Sequence, residues 1–225
     1  MTIKRATMIA SMIAAGLTVI DCGCGGGTAA QPATADAAST IPDTAQTACY
    51  SDRGQIRAPA PGQPFYGQDA QFSGSQTAYR DNGDGTVTDL STGLMWQQDP
   101  GEKVTFDEAL AGARECPLGG YTDWRVPTIK ELYSLIRFDG VTMMTSAQSV
   151  PYIDTDYFVF RYGDETGERH IDAQWISCTE YTSTTMGGNH TVFGVNFAVV
   201  RIKGYPGRVN KRAQKTFYYA YVRGA

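Results

Sequence analysis

The sequence predicts an α+β fold, a single domain with two helices, a small and mainly antiparallel sheet, and long loops. All 25 aromatic residues lie at or after Tyr50, so the core belongs to the C-terminal part of the chain. Two Thr-x-x-Glu helix starts lie close together, and strand-like apolar segments follow them. Of the 225 residues, 42% are hydrophobic and 19% are charged. This composition supports one packed core and excludes wholesale disorder.

The N-terminus predicts export. Two cations at positions 4 and 5 precede an uncharged run of 15 residues, 6–20. This run has the length of a signal-peptide core and is shorter than the roughly 20 residues that span a bilayer. It ends in Val-Ile-Asp-Cys22, which resembles a bacterial lipobox, although Asp21 stands where a small residue is usual. We predict a signal peptide over 1–21 and lipidation of Cys22, with ordinary signal cleavage and secretion as the alternative.

Residues 22–48 are predicted to carry the lipid and to form a tether. From residue 25 onward this segment is mainly Gly, Ala, Thr and Pro, with only two charges and no aromatic residue. Such a composition favours a flexible linker over packed structure. The folded domain is therefore predicted at 49–225.

Three cysteines remain in the predicted domain, Cys49, Cys116 and Cys178. In an oxidising compartment the simplest outcome is one disulfide and one free thiol. We expect the disulfide to join Cys116 and Cys178, although the spacing does not settle the pairing. His170 and His190 lie in stretches without a nucleophile signature, so no Cys-His catalytic pair is predicted.

The first predicted element is a hairpin over residues 79–98. Asn82-Gly83 and Asp84-Gly85 are turn signals, because these residues accept the positive φ of tight hairpin turns. Nearby aspartates allow a calcium-loop alternative. Glycines fall where oxygen ligands are needed, so turn chemistry is the favoured interpretation.

Two helices follow the hairpin, at about 106–115 and 129–137. Each starts with a Thr-x-x-Glu capping box, in which the threonine oxygen and the glutamate carboxylate satisfy free amide donors of the first turn. Trp124, between them, is predicted to be buried. The glutamates are interpreted as capping groups and not as an acid-base pair.

The rest of the chain predicts strands joined by loops. The predicted strands are 157–160, 174–177, 192–202 and 217–222. An acidic loop precedes the second of these, with Asp154, Asp156, Asp164, Glu165, Glu168 and Asp172. We interpret it as a solvated loop, with a structural calcium site as the alternative.

The net charge of −4 hides an asymmetry. Residues 50–180 contain 10 Lys and Arg against 20 Asp and Glu, whereas 181–225 contain seven cations and no acid. Such a segment attracts sulfated or phosphorylated polymers. Nucleic acid is disfavoured by the export signal and an isoelectric point near 5.2. The alternative is that these cations offset the acidic part of the domain through scattered surface pairs.

The candidate ligand-binding residues lie in this cationic segment. They are Arg201, Lys203, Tyr205, Arg208, Lys211, Arg212 and Lys215. Tyr205, together with Phe217, is predicted to be available for stacking on sugar rings.

Five motifs, in order along the chain, resemble one family. They are DNGDGTVTDLSTGLMW (81–96), DWRVPTIKEL (123–132), WISCTEY (175–181), GVNFAVVRIKGY (194–205) and YVRG (221–224). In these five motifs the chain is similar to the DUF1566 or Lcl C-terminal domain family, named after the Legionella collagen-like adhesin. The resemblance implies a C-type-lectin-like fold, binding of sulfated glycosaminoglycans and a homotrimer. The chain departs from the family pattern at Cys178, where serine is usual, and at Val199-Val200, where an Asp-Gly turn is common.

We therefore expect an exported bacterial cell-envelope protein, held at the outer membrane or cell surface by its lipid, or otherwise periplasmic or secreted. Its expected role is that of an adhesin for anionic glycans such as glycosaminoglycans. An envelope protein-interaction module without glycan binding is the alternative. A cysteine enzyme of the formylglycine-generating type, using Cys116 and Cys178, is the third hypothesis. No catalytic residue, cofactor or metal is predicted, and the membrane is expected to be contacted through the lipid only.

Overall fold

The computed structural model describes residues 43–72, 74, 77–185, 187–208 and 215–224. These residues form two α-helices and several small antiparallel sheets, which confirms the predicted α+β class. The helices are α1 (Phe106–Glu115) and α2 (Ile129–Tyr133). The strands are β1 (Cys49–Ser51), β2 (Gly54–Ile56), β3 (Tyr79–Asp81), β4 (Thr86–Asp89), β5 (Met95–Gln97), β6 (Val104–Thr105), β7 (Gln174–Thr185), β8 (Asn189–Asn196), β9 (Arg201–Arg208), β10 (Thr216–Phe217) and β11 (Val222–Arg223). Within the described ranges, no helix is long and apolar enough to cross a membrane.

The predicted hairpin over 79–98 is confirmed as part of a four-stranded sheet in the order β11-β5-β4-β3. Val87 and Trp96 are paired across β4 and β5 and are fully buried. The Asp81 carboxylate accepts the Gly83 amide at 2.8 Å, and the Asp84 carboxylate accepts the Thr86 amide at 3.1 Å. Both aspartates therefore stabilise the turn, as the turn interpretation predicted.

Both predicted capping boxes are present. Helix α1 has the predicted bounds, but α2 ends at Tyr133 and is shorter than the predicted 129–137. After Tyr133 the chain tightens into i→i+3 bonds, from the Leu135 amide to Leu132 and from the Ile136 amide to Tyr133. Trp124 is buried as predicted, and its indole N–H donates to the Leu118 carbonyl at 3.0 Å.

A three-stranded antiparallel sheet has the order β7-β8-β9. The single strand predicted over 192–202 is wrong, because β8 ends at Asn196 and β9 begins at Arg201. The Asn196 side-chain oxygen accepts the Ala198 amide at 3.0 Å, and Val200 takes a positive φ of 50°. These two features reverse the chain inside an apolar run that carries no glycine at the turn.

Two other predicted strands also differ from the structure. Residues 157–160 are not a strand, because the chain turns at 155–157, where the Asp154 carbonyl accepts the amides of Tyr157 and Phe158. The predicted strand 217–222 is two short strands in different sheets, since β10 pairs with β6 and β11 pairs with β5.

The β7-β8-β9 sheet lies between two hydrophobic clusters. Trp175 and Val195 belong to a cluster that includes Leu132 of α2. Val192 and Tyr205 belong to a second cluster, which contains Phe106 and Ala109 of α1 and Phe217 of β10. Successive residues of β7, Trp175 and Ile176, therefore belong to different clusters.

Residues 43–48, which the sequence assigned to the tether, contact the domain. The Phe138 amide donates to the Thr44 carbonyl at 3.2 Å, and the Gln46 side chain donates to the Phe138 carbonyl. The predicted signal peptide and the predicted lipidation site at Cys22 lie outside the described residues.

Candidate functional site

Strand β9 carries two exposed cations, Arg201 and Lys203, on one face of an outer strand. In the antiparallel register Arg201 is opposite Asn196 and Lys203 is opposite Gly194. Side chains two residues apart share a face of a strand, so Tyr205 lies on the same face as these cations. No ion pair of Arg201 or Lys203 is found among the residues that the structure describes.

The structure corrects the predicted role of Tyr205. The side chain is 5% exposed and packs against Phe217, with ring centroids 5.5 Å apart. Phe217 is fully buried as well, so neither ring is available to stack on a sugar. Tyr205 shares a strand face with Arg201 and Lys203, but at its position α1 and β10 cover that face, because Tyr205 packs in the cluster that contains Phe106 and Phe217. Burial raises the pKa of Tyr205 to about 12, so the phenol stays uncharged at neutral pH.

Two lysines lie over this pair of buried rings. The Lys203 Nζ is 6.0 Å from the Tyr205 ring centroid, and the Lys215 Nζ is 5.3 Å from it. Lys215 also lies 5.9 Å from the Phe217 centroid. Cations near the face of an aromatic ring are stabilised by its electron density. The rings therefore lie beneath two ammonium groups, one from β9 and one from the residue directly before β10.

Lys103, directly before β6, extends this arrangement. Its Nζ is 4.9 Å from the Tyr218 centroid, pairs with the Asp172 carboxylate and donates to the Asp172 carbonyl at 2.5 Å. Its side chain is 16% exposed. We refer to Lys103, Lys203 and Lys215 as the lysine cluster.

Lys215 links the members of the lysine cluster electrostatically. Burial lowers its pKa most, and the charges of Lys103 and Lys203 lower it further, while Asp172 acts in the opposite direction. Like charges at close range disfavour the protonated form. An external anion would relieve that repulsion, so this arrangement is suited to bind one.

An open groove lies beside the lysine cluster, with a volume of about 530 Å³. Lys103, Asp172 and Tyr218 line it, together with Arg161 and Tyr162. This volume is in the usual range for small-molecule sites. A ligand bound at the lysines therefore has room for further groups next to them.

Arg208, a predicted ligand-binding residue, is occupied by an internal pair. Its guanidinium lies 2.7 Å from an Asp107 oxygen and 5.4 Å from the Phe106 ring centroid. The hydrogen bond with Asp107 raises the pKa of Arg208, and the same bond lowers the pKa of Asp107. The pair joins the end of β9 to the first turn of α1 and gives the guanidinium, which is 44% exposed, an internal counter-charge.

Two further predicted residues, Lys211 and Arg212, lie outside the described residues. In the sequence they lie between Lys203 and Lys215.

The predicted Cys116–Cys178 disulfide is not formed, because Cys116 carries a free thiol. Cys116 ends α1 as its C-cap residue, is half-buried and interacts with Tyr219 and Tyr221. Cys178 is buried in β7, where its amide donates to the Pro127 carbonyl at 2.8 Å. Both side chains pack on the cluster around α1 without being joined.

Three acidic residues of the loop considered for calcium make internal contacts. Asp172 pairs with Lys103 and Asp154 with Arg137, while the Asp164 carboxylate accepts the Thr166 amide at 2.9 Å. No group of three or more metal-ligating side chains occurs in the searched, described part of the chain.

A comparison with protein-family models gives one match, the Lcl C-terminal domain, over residues 85–223. This match covers more than half of the chain and contains both helices and strands β4 to β11. The chain belongs to the Lcl C-terminal domain family. No curated protein and no solved structure matches the chain. The C-type-lectin-like fold therefore stays a prediction.

Sequence reasoning missed two residues of the site in this Lcl C-terminal domain. Lys103 belongs to the acidic part of the chain, and the sequence places Asp172 in a loop that we interpret as solvated. Pairing of β6 with β10 places Lys103 beside Tyr218. This pairing joins residues more than 100 positions apart, and no local pattern signals it.

Proposed function

We propose that this Lcl C-terminal domain is an envelope binding module that recognises an anionic glycan through Arg201, Lys203 and Lys215. The observation that carries the proposal is that Lys203 of β9 and Lys215, directly before β10, both lie over the ring of Tyr205. Arg201 and Lys203 are exposed and Lys215 is half-buried. Neither strand alone would concentrate this charge.

A structural explanation for the cations on β9 also has to be considered. Charged residues and proline on an outer strand discourage pairing with another sheet, and β9 carries Pro206 besides its cations. That explanation accounts for Arg201 and Lys203. It does not account for Lys215, which directly precedes β10 and places a second ammonium over the ring of Tyr205.

The proposal predicts retention on heparin that weakens steeply with salt, because ionic contacts are screened. Replacing Lys203 and Lys215 with serine should lower the eluting salt concentration strongly. The matched control replaces Arg53 and Arg57, two exposed arginines near β2, with the same change of charge. Loss of retention in both variants, or retention that ignores salt, would contradict a site on β9 and β10.

We further propose that the domain is exported and held at the bacterial envelope by a lipid on Cys22. The lipobox-like segment before this residue supports the proposal. Cys22→Ser should move the protein from the membrane fraction to the soluble fraction, whereas Cys24→Ser should leave it at the membrane. Equal behaviour of the two variants would contradict lipidation at Cys22.

A further inference from the structure

An uncharged and exposed segment follows α2. Residues 140–153 carry no charged side chain. Four apolar side chains within this segment are exposed, Met144 by 87% and also Val141, Met143 and Val150. We refer to residues 141–150 as the apolar lobe. Single exposed apolar residues are ordinary on a protein surface, whereas four within ten residues indicate an interaction surface.

The apolar lobe has a fixed structure. Val141 and Val150 exchange backbone hydrogen bonds at 2.9 Å and 2.8 Å. The Ser149 hydroxyl accepts the Met143 amide at 2.9 Å. The Thr142 hydroxyl donates at 3.0 Å to a carbonyl of the turn between β8 and β9. These bonds hold the apolar side chains of the lobe in contact with solvent.

The predicted tether meets the domain at the base of the apolar lobe. The Phe138 amide donates to the Thr44 carbonyl at 3.2 Å, and Phe138 lies three residues before Val141. Residues 22 and 44 are 22 positions apart, and a chain of that length spans at most about 75 Å. A lipid on Cys22 would therefore keep the base of the lobe within that distance of the bilayer.

We propose that the apolar lobe is a second membrane contact, which lies on the bilayer interface beside the lipid carried by Cys22. This inference rests on the proposed lipid anchoring, and it adds a protein contact to a membrane that the sequence expects to be contacted through the lipid only. Tethering at one site raises the effective concentration at a second site to the millimolar range, so a small patch is sufficient. Apolar side chains without charged neighbours are stabilised when they leave water for the bilayer interface. The two contacts together would hold the domain in one orientation at the membrane.

The test uses the full lipidated chain in vesicles of phosphatidylethanolamine and phosphatidylglycerol, with brominated acyl chains as quenchers. All three tryptophans of the chain are buried, so a new exposed tryptophan reports on its own surroundings. Met144→Trp places one at the most exposed position of the lobe. We expect the brominated lipid to quench at least half of the added fluorescence, because an interfacial side chain reaches the acyl boundary.

Tyr181→Trp is the matched control. Tyr181 is also exposed, and it lies toward the β7-β8 turn, away from the end of β8 that the lobe contacts. Its added fluorescence should stay unquenched. Val150→Trp, on the other side of the lobe, is a second reporter that should be quenched, and it serves if Met144→Trp does not fold. Adding Met143→Asp to Val150→Trp should abolish the quenching, because a carboxylate opposes transfer into the interface.

Flotation of the chain with the vesicles separates the two proposals. A wild-type chain that does not float with them overturns the lipid anchoring and the inference with it. A chain that floats while both lobe reporters stay unquenched overturns the lobe contact and leaves the anchor intact. Equal quenching of Tyr181→Trp also overturns the lobe contact, since the domain would then have no preferred orientation. A blue shift of the lobe reporters without quenching would place a second copy of the chain on the lobe and overturn the membrane contact.

Discussion

At the residue scale, Glu131 connects a helix start to the sheet beside it. Its carboxylate accepts two hydrogen bonds from Arg125, at 2.8 Å and 2.5 Å, and one from the Thr128 amide at 2.8 Å. Partial burial raises the pKa of Glu131, but the bonds from Arg125 and Thr128 outweigh it and hold the pKa below the ordinary 4.5. The Arg125 amide and carbonyl in turn bond to Val222. One side chain thus joins α2 to β11.

The lowered pKa of Glu131 gives a pH-dependent prediction. A group with a lowered folded-state pKa contributes stability that is present above its unfolded pKa and lost as pH falls through the folded value. Glu131→Gln should therefore lower the free energy of unfolding at pH 7 by about 2 kcal/mol, with a smaller difference at pH 3. Urea unfolding at both pH values measures it. Glu108→Gln removes the exposed counterpart on α1 and should lower the free energy of unfolding much less. An equal decrease in the two variants would contradict the account.

A second residue-scale prediction concerns Gly112, in the middle of α1. Alanine in a helix interior is usually more stable than glycine by about 1 kcal/mol. Here a Cβ would lie 2.5 Å from the Tyr221 hydroxyl oxygen, so Gly112→Ala should destabilise the domain. In a Tyr221→Phe background the nearest ring atom is 3.7 Å away, and the same change should become neutral or stabilising. Chemical denaturation of wild type, the two single variants and the double variant measures the coupling between the two substitutions. Additive effects would contradict the close approach of position 112 to the Tyr221 hydroxyl.

At the element scale, local signals predicted the helices better than the strands. The capping boxes at Thr105 and Thr128 are local hydrogen-bond patterns, and both are present. The reversal between β8 and β9 has no local signal, because it lies in an apolar run at Phe197-Ala-Val-Val200. Apolar periodicity cannot distinguish a long strand from two strands whose connection is itself half-buried.

The Val199-Val200 turn gives an element-scale prediction. A β-branched residue at a φ of 50° is strained, on the order of 1–2 kcal/mol, and Val200 is such a residue. Val200→Gly relieves that strain while it loses some packing, so stability should stay near wild type. Val199→Gly relieves no backbone strain and should lower the free energy of unfolding by about 1 kcal/mol. Thermal unfolding compares the two, and equal losses would contradict strain at Val200.

At the scale of the whole molecule, the sequence located the cationic segment but not its available members. Arg208 pairs with Asp107 and Arg223 with Asp123, each about 100 residues away along the chain. These pairs fit the alternative that the cations offset the acidic part of the domain. Arg201, Lys203 and Lys215 show no such pair within the described ranges. Tertiary contacts decide which cations form ion pairs. The local sequence around these residues carries no pattern that predicts the pairs.

The most direct test of the central claim is a two-dimensional NMR titration of the protein with a heparin hexasaccharide. The account predicts that amide shifts change most at Arg201–Tyr205 and at Lys215–Tyr218, and that the changes diminish as salt is raised. The Lys203→Ser and Lys215→Ser double variant should abolish them. Shift changes confined to other surfaces, or none at low salt, would contradict a glycan site on β9 and β10.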